Sequence, residues 1–112
     1  MELLICVINK PEVLDEVLTG LLEAGISGCT VIESQGMGQI ISRDVPIFSG
    51  FKSIFSGSRE HNYTIFSVIK EKNDVERAIK TIEEIYGSFE EPNSGLLFTL
   101  PISRCHGLVS NA

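Results

Sequence analysis

Leu3-Leu4-Ile5-Cys6-Val7-Ile8-Asn9-Lys10-Pro11 decides how this chain is read. Its first six residues run without a polar break, which fits a strand buried on both faces. Pro11 then opens a helix, because the first helical position needs no N–H donor. Val13, Leu14, Val17, Leu18, Leu21 and Leu22 recur at helical spacing, while Glu12, Asp15, Glu16 and Glu23 fall mostly outside that stripe. Gly20 weakens the helix slightly, and Gly25 supplies its stop.

The same strand–helix–strand logic carries onward. A second strand is expected from Cys29 to Ser34, rich in β-branched residues, ending at Gly36-Met37-Gly38. From Gln39 to His61 clean periodicity is lost. That is long for a connection in a compact domain, so the segment is either functional or partly disordered. Tyr63 to Ile69 alternates as a third strand. Asn73 is placed to cap a second helix, with Glu76 three residues on as in a capping box. Val75, Ala78, Ile79, Ile82 and Ile85 form its apolar face, and Glu76 and Lys80 make a favourable i,i+4 pair. Gly87 ends it. An acidic turn region, Ser88 to Ser94 with Pro92, leads to a fourth strand, Gly95 to Leu100, closed by Pro101.

The order β-α-β, long loop, β-α-β gives an α+β class, the ferredoxin-like βαββαβ arrangement. A four-stranded antiparallel sheet would carry both helices on one face. We expect one domain over 1–112, a long loop at about 39–61, and a tail at about 101–112. Leu3, Ile5 and Val7 would point one way and Leu4, Cys6 and Ile8 the other. Both sets are apolar, so something must cover the second face, and a homo-oligomer is the simplest cover.

Composition narrows the functional classes. The chain has 112 residues, 43% hydrophobic and 21% charged, which suits one globular domain and not a disordered one. Nine Lys and Arg face fifteen Asp and Glu, a formal charge of −6. Nucleic acid and anionic membranes are poor partners for such a chain. Cys6, Cys29 and Cys105 are odd in number and far apart, with no CxxC or Cys/His zinc spacing, against a disulfide framework or structural zinc. The apolar start is too short and wrongly flanked for a signal peptide, and no run approaches a membrane span. These features predict a reduced, cytoplasmic protein.

With the frame in place, short motifs gain meaning. Ile8-Asn9-Lys10-Pro11, Gly25-Ile26-Ser27-Gly28-Cys29-Thr30-Val31 and Gly36-Met37-Gly38-Gln39 each resemble the corresponding stretch of the PII signal-transduction superfamily. The last is similar to the glycine-aromatic-glycine-Arg/Gln motif that opens that family's long T-loop. The resemblance runs from Met1 to about Arg104. It implies a non-enzymatic homotrimer with sheets facing the centre and adenine nucleotides in the clefts between subunits. It implies a T-loop that docks on a partner protein, such as a transporter or metabolic enzyme. Thr30, Gly36, Met37, Gly38 and Gln39 match nucleotide-contacting positions of the family, and Gly95 matches a glycine of its phosphate-holding loop.

This chain departs from the pattern in places. Leu96 replaces the lysine that follows that glycine, and Gly107 and Val109 replace two arginines that contact phosphate. Arg104 is the candidate substitute. Glu83, Glu84, Glu90 and Glu91 also disfavour a triphosphate. AMP, ADP, a cyclic nucleotide or another small ligand fits the missing cations better than ATP. No cofactor is required by this reading. The loop lacks the tyrosine that some relatives modify and carries Ile47, Phe48, Phe51, Ile54 and Phe55 instead. Phe48, Phe51 and Phe55 stand at i, i+3 and i+7, so with Lys52 they suit partner docking as a short amphipathic helix. Arg43, Lys52 and Arg59 against Asp44 and Glu60 give the loop a net +1, leaving −7 for the rest.

Each feature has a plainer reading. Gly36 and Gly38 can serve a tight turn with positive φ, or form an anion nest of backbone N–H groups. The Phe-rich loop can pack on its own subunit. Cys105 and His106, with His61, suggest a soft-metal site as in the CutA branch of the same fold, although adjacent ligands seldom make a complete site. Glu83-Glu84 and Glu90-Glu91 read as a solvated face. No catalytic constellation emerges.

Overall fold

The computed structural model describes residues 1–44, 61–91 and 94–108. Four strands form one sheet: β1 (Glu2–Ile8), β2 (Thr30–Ser34), β3 (Asn62–Ile69) and β4 (Gly95–Pro101). Their order is β2-β3-β1-β4, with every neighbouring pair antiparallel. Three helices, α1 (Leu14–Glu23), α2 (Met37–Asp44) and α3 (Lys72–Tyr86), complete the described chain. The ferredoxin-like arrangement expected from the sequence is the observed one.

The uninterrupted aliphatic run of β1 takes the centre of the sheet, paired on both sides. Its register sets two faces. Leu4, Cys6 and Ile8 point inward with Ile65 and Ile69 of β3, all essentially without solvent contact. They meet Val17 and Leu21 of α1 and Val75, Ala78, Ile82 and Tyr86 of α3. Burying a side chain of this size is worth about 1.5–3 kcal/mol, so this layer is the main source of stability.

Helix α1 starts later than Pro11 suggests. Pro11–Val13 is a 3-10 turn, and regular helix begins at Leu14. Its end follows the Schellman pattern: Ile26 N–H donates to Leu21 O (2.8 Å) and Gly25 N–H to Leu22 O (3.1 Å). Gly25 takes φ +95 to allow it, and Ile26 seals the motif by joining Leu21 in the core. Arg77 of α3 donates from Nε to Ala24 O at 3.2 Å, satisfying another terminal carbonyl. Gly20 lets the two helices approach, since a Cβ there would lie 2.6 Å from Ile85 Cδ1. Leu22 leaves the expected stripe: it is 62% exposed, one position round the helix from Leu21.

Two other expectations are corrected. Asn73 is not the cap of α3. Glu71 holds that position in an extended conformation, without a side-chain cap bond, and its carbonyl accepts from Asp74 and Val75. Residues 37–44, expected as the end of a glycine turn at 37–38 and the start of the long loop from 39, are helical, and Gly36 precedes them at the cap position with its carbonyl accepting from Ile40 N–H at 3.2 Å. Glycine is well tolerated there, so the helix forms despite poor propensity in its first turn. Gly38 therefore sits in a helical turn and not in a positive-φ one.

The second face of the sheet is bare. Leu3, Ile5 and Val7 line up across the register with Leu100, Phe98 and Leu96 of β4 and with Val68, Phe66 and Thr64 of β3. Leu96 is 57% exposed, Phe98 41% and Leu100 39%. Among the described residues no helix is long and apolar enough to cross a membrane.

Candidate functional site

The antiparallel register brings the β1–α1 junction, the root of the β2–β3 connection and the start of β4 to one end of the sheet. Ser34 ends β2, Asn62 begins β3, Ile8 ends β1 and Gly95 begins β4. The strand order places them side by side as Ser34, Asn62, Ile8-Asn9 and Gly95. Both glycine-bearing segments singled out by sequence, 36–38 and 95, lie at this end.

Asn62 is the polar centre of that end, only 5% exposed. Its Nδ2 donates to Asn9 Oδ1 at 3.0 Å. Its Oδ1 accepts from the Ser34 hydroxyl, which in turn lies 2.8 Å from Thr64 Oγ1. A buried amide costs several kcal/mol unless paired, and here both ends of the amide are paired. Asn9 continues the contact differently: its backbone N–H donates to the Tyr86 hydroxyl at 3.0 Å. The Tyr86 ring stacks on Phe89, centroids 4.8 Å apart, with Lys10 Nζ 5.0 Å from its centroid. Burial pushes the Tyr86 phenol above its ordinary value, partly offset by backbone bonds from Asn9 and Lys10.

Gly95 is required by packing. Its φ is +132, and a Cβ would fall 2.2 Å from Val7 O and 3.0 Å from the Tyr86 hydroxyl. Its place in the family's phosphate-loop motif thus coincides with a backbone position closed to any side chain.

The remaining site residues are dispersed. Gly36, Met37, Gly38 and Gln39 open α2 beyond β2, one edge of the sheet. Gly95 lies on the other edge. Three interstrand spacings of about 4.8 Å put roughly 14 Å between those edges. Thr30 begins β2 and is exposed, opposite Phe66. Arg104 is exposed beyond the far end of β4, a strand whose seven residues rise roughly 3.3 Å each. One subunit does not bring Thr30 and Arg104 to Gly36 and Gly95. Phe48, Phe51, Lys52 and Phe55 lie outside the described residues.

The metal expectation meets the same geometry. His61 precedes β3 and contacts Glu33 Oε1 at 3.2 Å through Nδ1. Cys105 and His106 follow β4 from the opposite end of the sheet. Among the described residues no group of three or more His, Cys, Asp or Glu gathers as metal ligands do. Nor are the thiols of Cys6 and Cys29 primed as nucleophiles. Burial pushes Cys6 up to about 12 and raises Cys29 as well, the opposite of an activated thiolate.

A cleft of about 640 Å³ opens between α3 and β4, with Ile79, Phe89 and Leu97 as its apolar floor and Glu83 and Glu90 on its rim. None of the sequence-predicted ligand residues lines it. The carboxylates make it a poor seat for phosphate.

Sequence reasoning missed Tyr86 and Asn62. Tyr86 had a signal: it extends the stripe Val75, Ala78, Ile82 by four more residues. Asn62 had none, because its partners lie 28 and 53 positions away in the chain.

Comparison with curated proteins gives no match. The family described as Nitrogen regulatory protein P-II matches residues 2–109. The match spans the sheet, the three helices and the loop-bearing end, and the chain belongs to the P-II nitrogen regulatory protein family.

Proposed function

We propose that this chain is a non-enzymatic, cytoplasmic signalling regulator of the PII type. It works as a homotrimer and senses a small ligand, an adenine nucleotide with fewer than three phosphates, at clefts between subunits. It then regulates a partner protein, a transporter or metabolic enzyme, through residues 39–61. One observation supports the intersubunit site: the candidate ligand residues do not share one end of the sheet. Gly36–Gln39 and Gly95 stand at one end, Thr30 and Arg104 toward the other. A ligand that touches both groups needs two subunits. The bare apolar face supplies the reason for subunits to assemble. Leu96 in place of the family's lysine removes one phosphate cation, which supports a ligand of lower charge.

Mixed trimers test the shared site. Gly38→Val and Arg104→Ala homotrimers are each expected to lose nucleotide binding in calorimetry. Refolded together at equal amounts, they should regain about one site in four, because some boundaries pair an intact Gly38 with an intact Arg104. No regained binding would sink the shared-site reading. A thermal-shift panel of ATP, ADP, AMP and cyclic nucleotides identifies the ligand class, and stabilisation by none of them would remove the nucleotide.

A further inference from the structure

We propose that Asn62 and Tyr86 are positioning residues that tie the root of the 35–61 connection to the turn before β4, so that the two loops at this end adjust together. Ser34 and Asn62 are the last residue of β2 and the first of β3, so they form that root. Phe89 lies in the turn between α3 and β4. One place is the β2–β3 pair and the other a turn beside β4, with no direct pairing between them.

The side-chain bonds form a chain with one sense of donation. The Thr64 hydroxyl can donate to Ser34 Oγ, and Ser34 donates to Asn62 Oδ1. Asn62 Nδ2 donates to Asn9 Oδ1, and the Asn9 backbone N–H donates to Tyr86. Aligned donors polarise one another where water is excluded, which strengthens such a series. Tyr86 then passes any displacement to Phe89 through its stacked ring. The phenol oxygen also lies 3.0 Å from where a Gly95 Cβ would stand, and the Phe89 ring 3.4 Å from it, so both rings pack closely against the start of β4.

The order of the links matters physically. Asn62 has one amide to share between Ser34 and Asn9. A displacement of Ser34 pulls on the Asn62 amide through Oδ1, and Nδ2 passes that pull to Asn9 Oδ1. Asn9 must then move, and its backbone N–H carries Tyr86 with it. A swing at the root of the connection thus arrives as a shift at residues 87–91. The functional consequence rests on the proposed ligand reading, since Gly36–Gln39 lie in one connection and Gly95 directly follows the other. The coupling itself does not, and its test uses the ligand-free protein.

The test is amide hydrogen exchange on the full-length, ligand-free protein. Asn62→Leu keeps the branched outline of the side chain and removes both bonds. Tyr86→Phe keeps the ring stack and removes only the hydroxyl. Asn62→Leu is expected to speed exchange roughly tenfold at residues 87–91, and Tyr86→Phe to do the same at residues 34–37, with α1 amides unchanged. Asn62→Gln, which retains the amide, should restore part of the protection. The double variant should change exchange by less than the product of the two single effects, because the second substitution breaks a link already broken. Changes confined to the neighbours of each substituted residue, or a double variant equal to the product, would overturn the proposal. If Asn62→Leu fails to fold, the response of residues 34–37 to Tyr86→Phe decides alone. A parent protein that binds no nucleotide yet shows the coupled exchange would count against the ligand reading and leave the coupling standing.

Discussion

The two faces of the sheet carry almost the same kind of residue and have opposite fates. On one, Leu4, Cys6 and Ile8 are sealed beneath α1 and α3. On the other, Leu3, Ile5 and Val7 are only partly covered, and Leu96, Phe98 and Leu100 beside them are open to solvent. The difference lies in what covers each face and not in the side chains. A chain that places aliphatic residues on both sides of a strand has been selected for two covers, and this fold supplies one.

The comparison breaks most sharply with a charge placed on either face. Leu4→Asp buries an unpaired carboxylate against the helices and is expected to abolish cooperative unfolding altogether. Phe98→Asp should leave a folded chain by circular dichroism and drop its light-scattering mass to that of one subunit. Equal collapse of both variants would show that the outer face is needed for the fold itself. A step smaller, Leu21→Ala should cost about 3 kcal/mol by opening a cavity under β1. Leu22→Ala, its exposed neighbour, should stay within about 0.5 kcal/mol. Denaturant midpoints separate the two.

A subtler effect is expected at high pH. The Cys6 thiol is raised from 9.0 to about 12 by burial, so the folded state keeps a proton that the unfolded chain gives up. Its contribution to stability is full below about pH 9 and is lost as pH rises toward 12. Stability measured at pH 8 and pH 10.5 should fall more in the parent than in Cys6→Val. Equal slopes would mean that the inner face admits water at Cys6.

The inner layer was legible because its period is regular. The β1 run, the α1 stripe through Val17 and Leu21 and the α3 stripe through Val75, Ala78 and Ile82 all land where their spacing puts them. Local signals failed where two local preferences compete. Gly36 and Gly38 read as a turn because glycine is a poor helix former. Gly36 instead serves as a cap, and the helix forms from 37 onward. Asn73 looked like a cap from its side chain alone, yet the helix starts two residues earlier than that cap would set, at Lys72. The site was less legible still. The family motifs point to Gly95, but its contact with Val7 O and Tyr86 belongs to tertiary structure. Asn62 is silent in sequence because a hydrogen bond across strands leaves no period to find.

The register of the outer face has one more consequence. Its side chains stand in rows across the strands: Leu3 with Val68 and Leu100, Ile5 with Phe66 and Phe98, Val7 with Thr64 and Leu96. Successive rows are two residues apart, about 7 Å. The series is greasy at the end near Glu2 and turns to amide and hydroxyl at Asn62 and Ser34. A covering surface therefore meets a ratchet with a direction. It can slide only in whole steps of that spacing, and a cover laid on backwards would press its apolar end against Asn62.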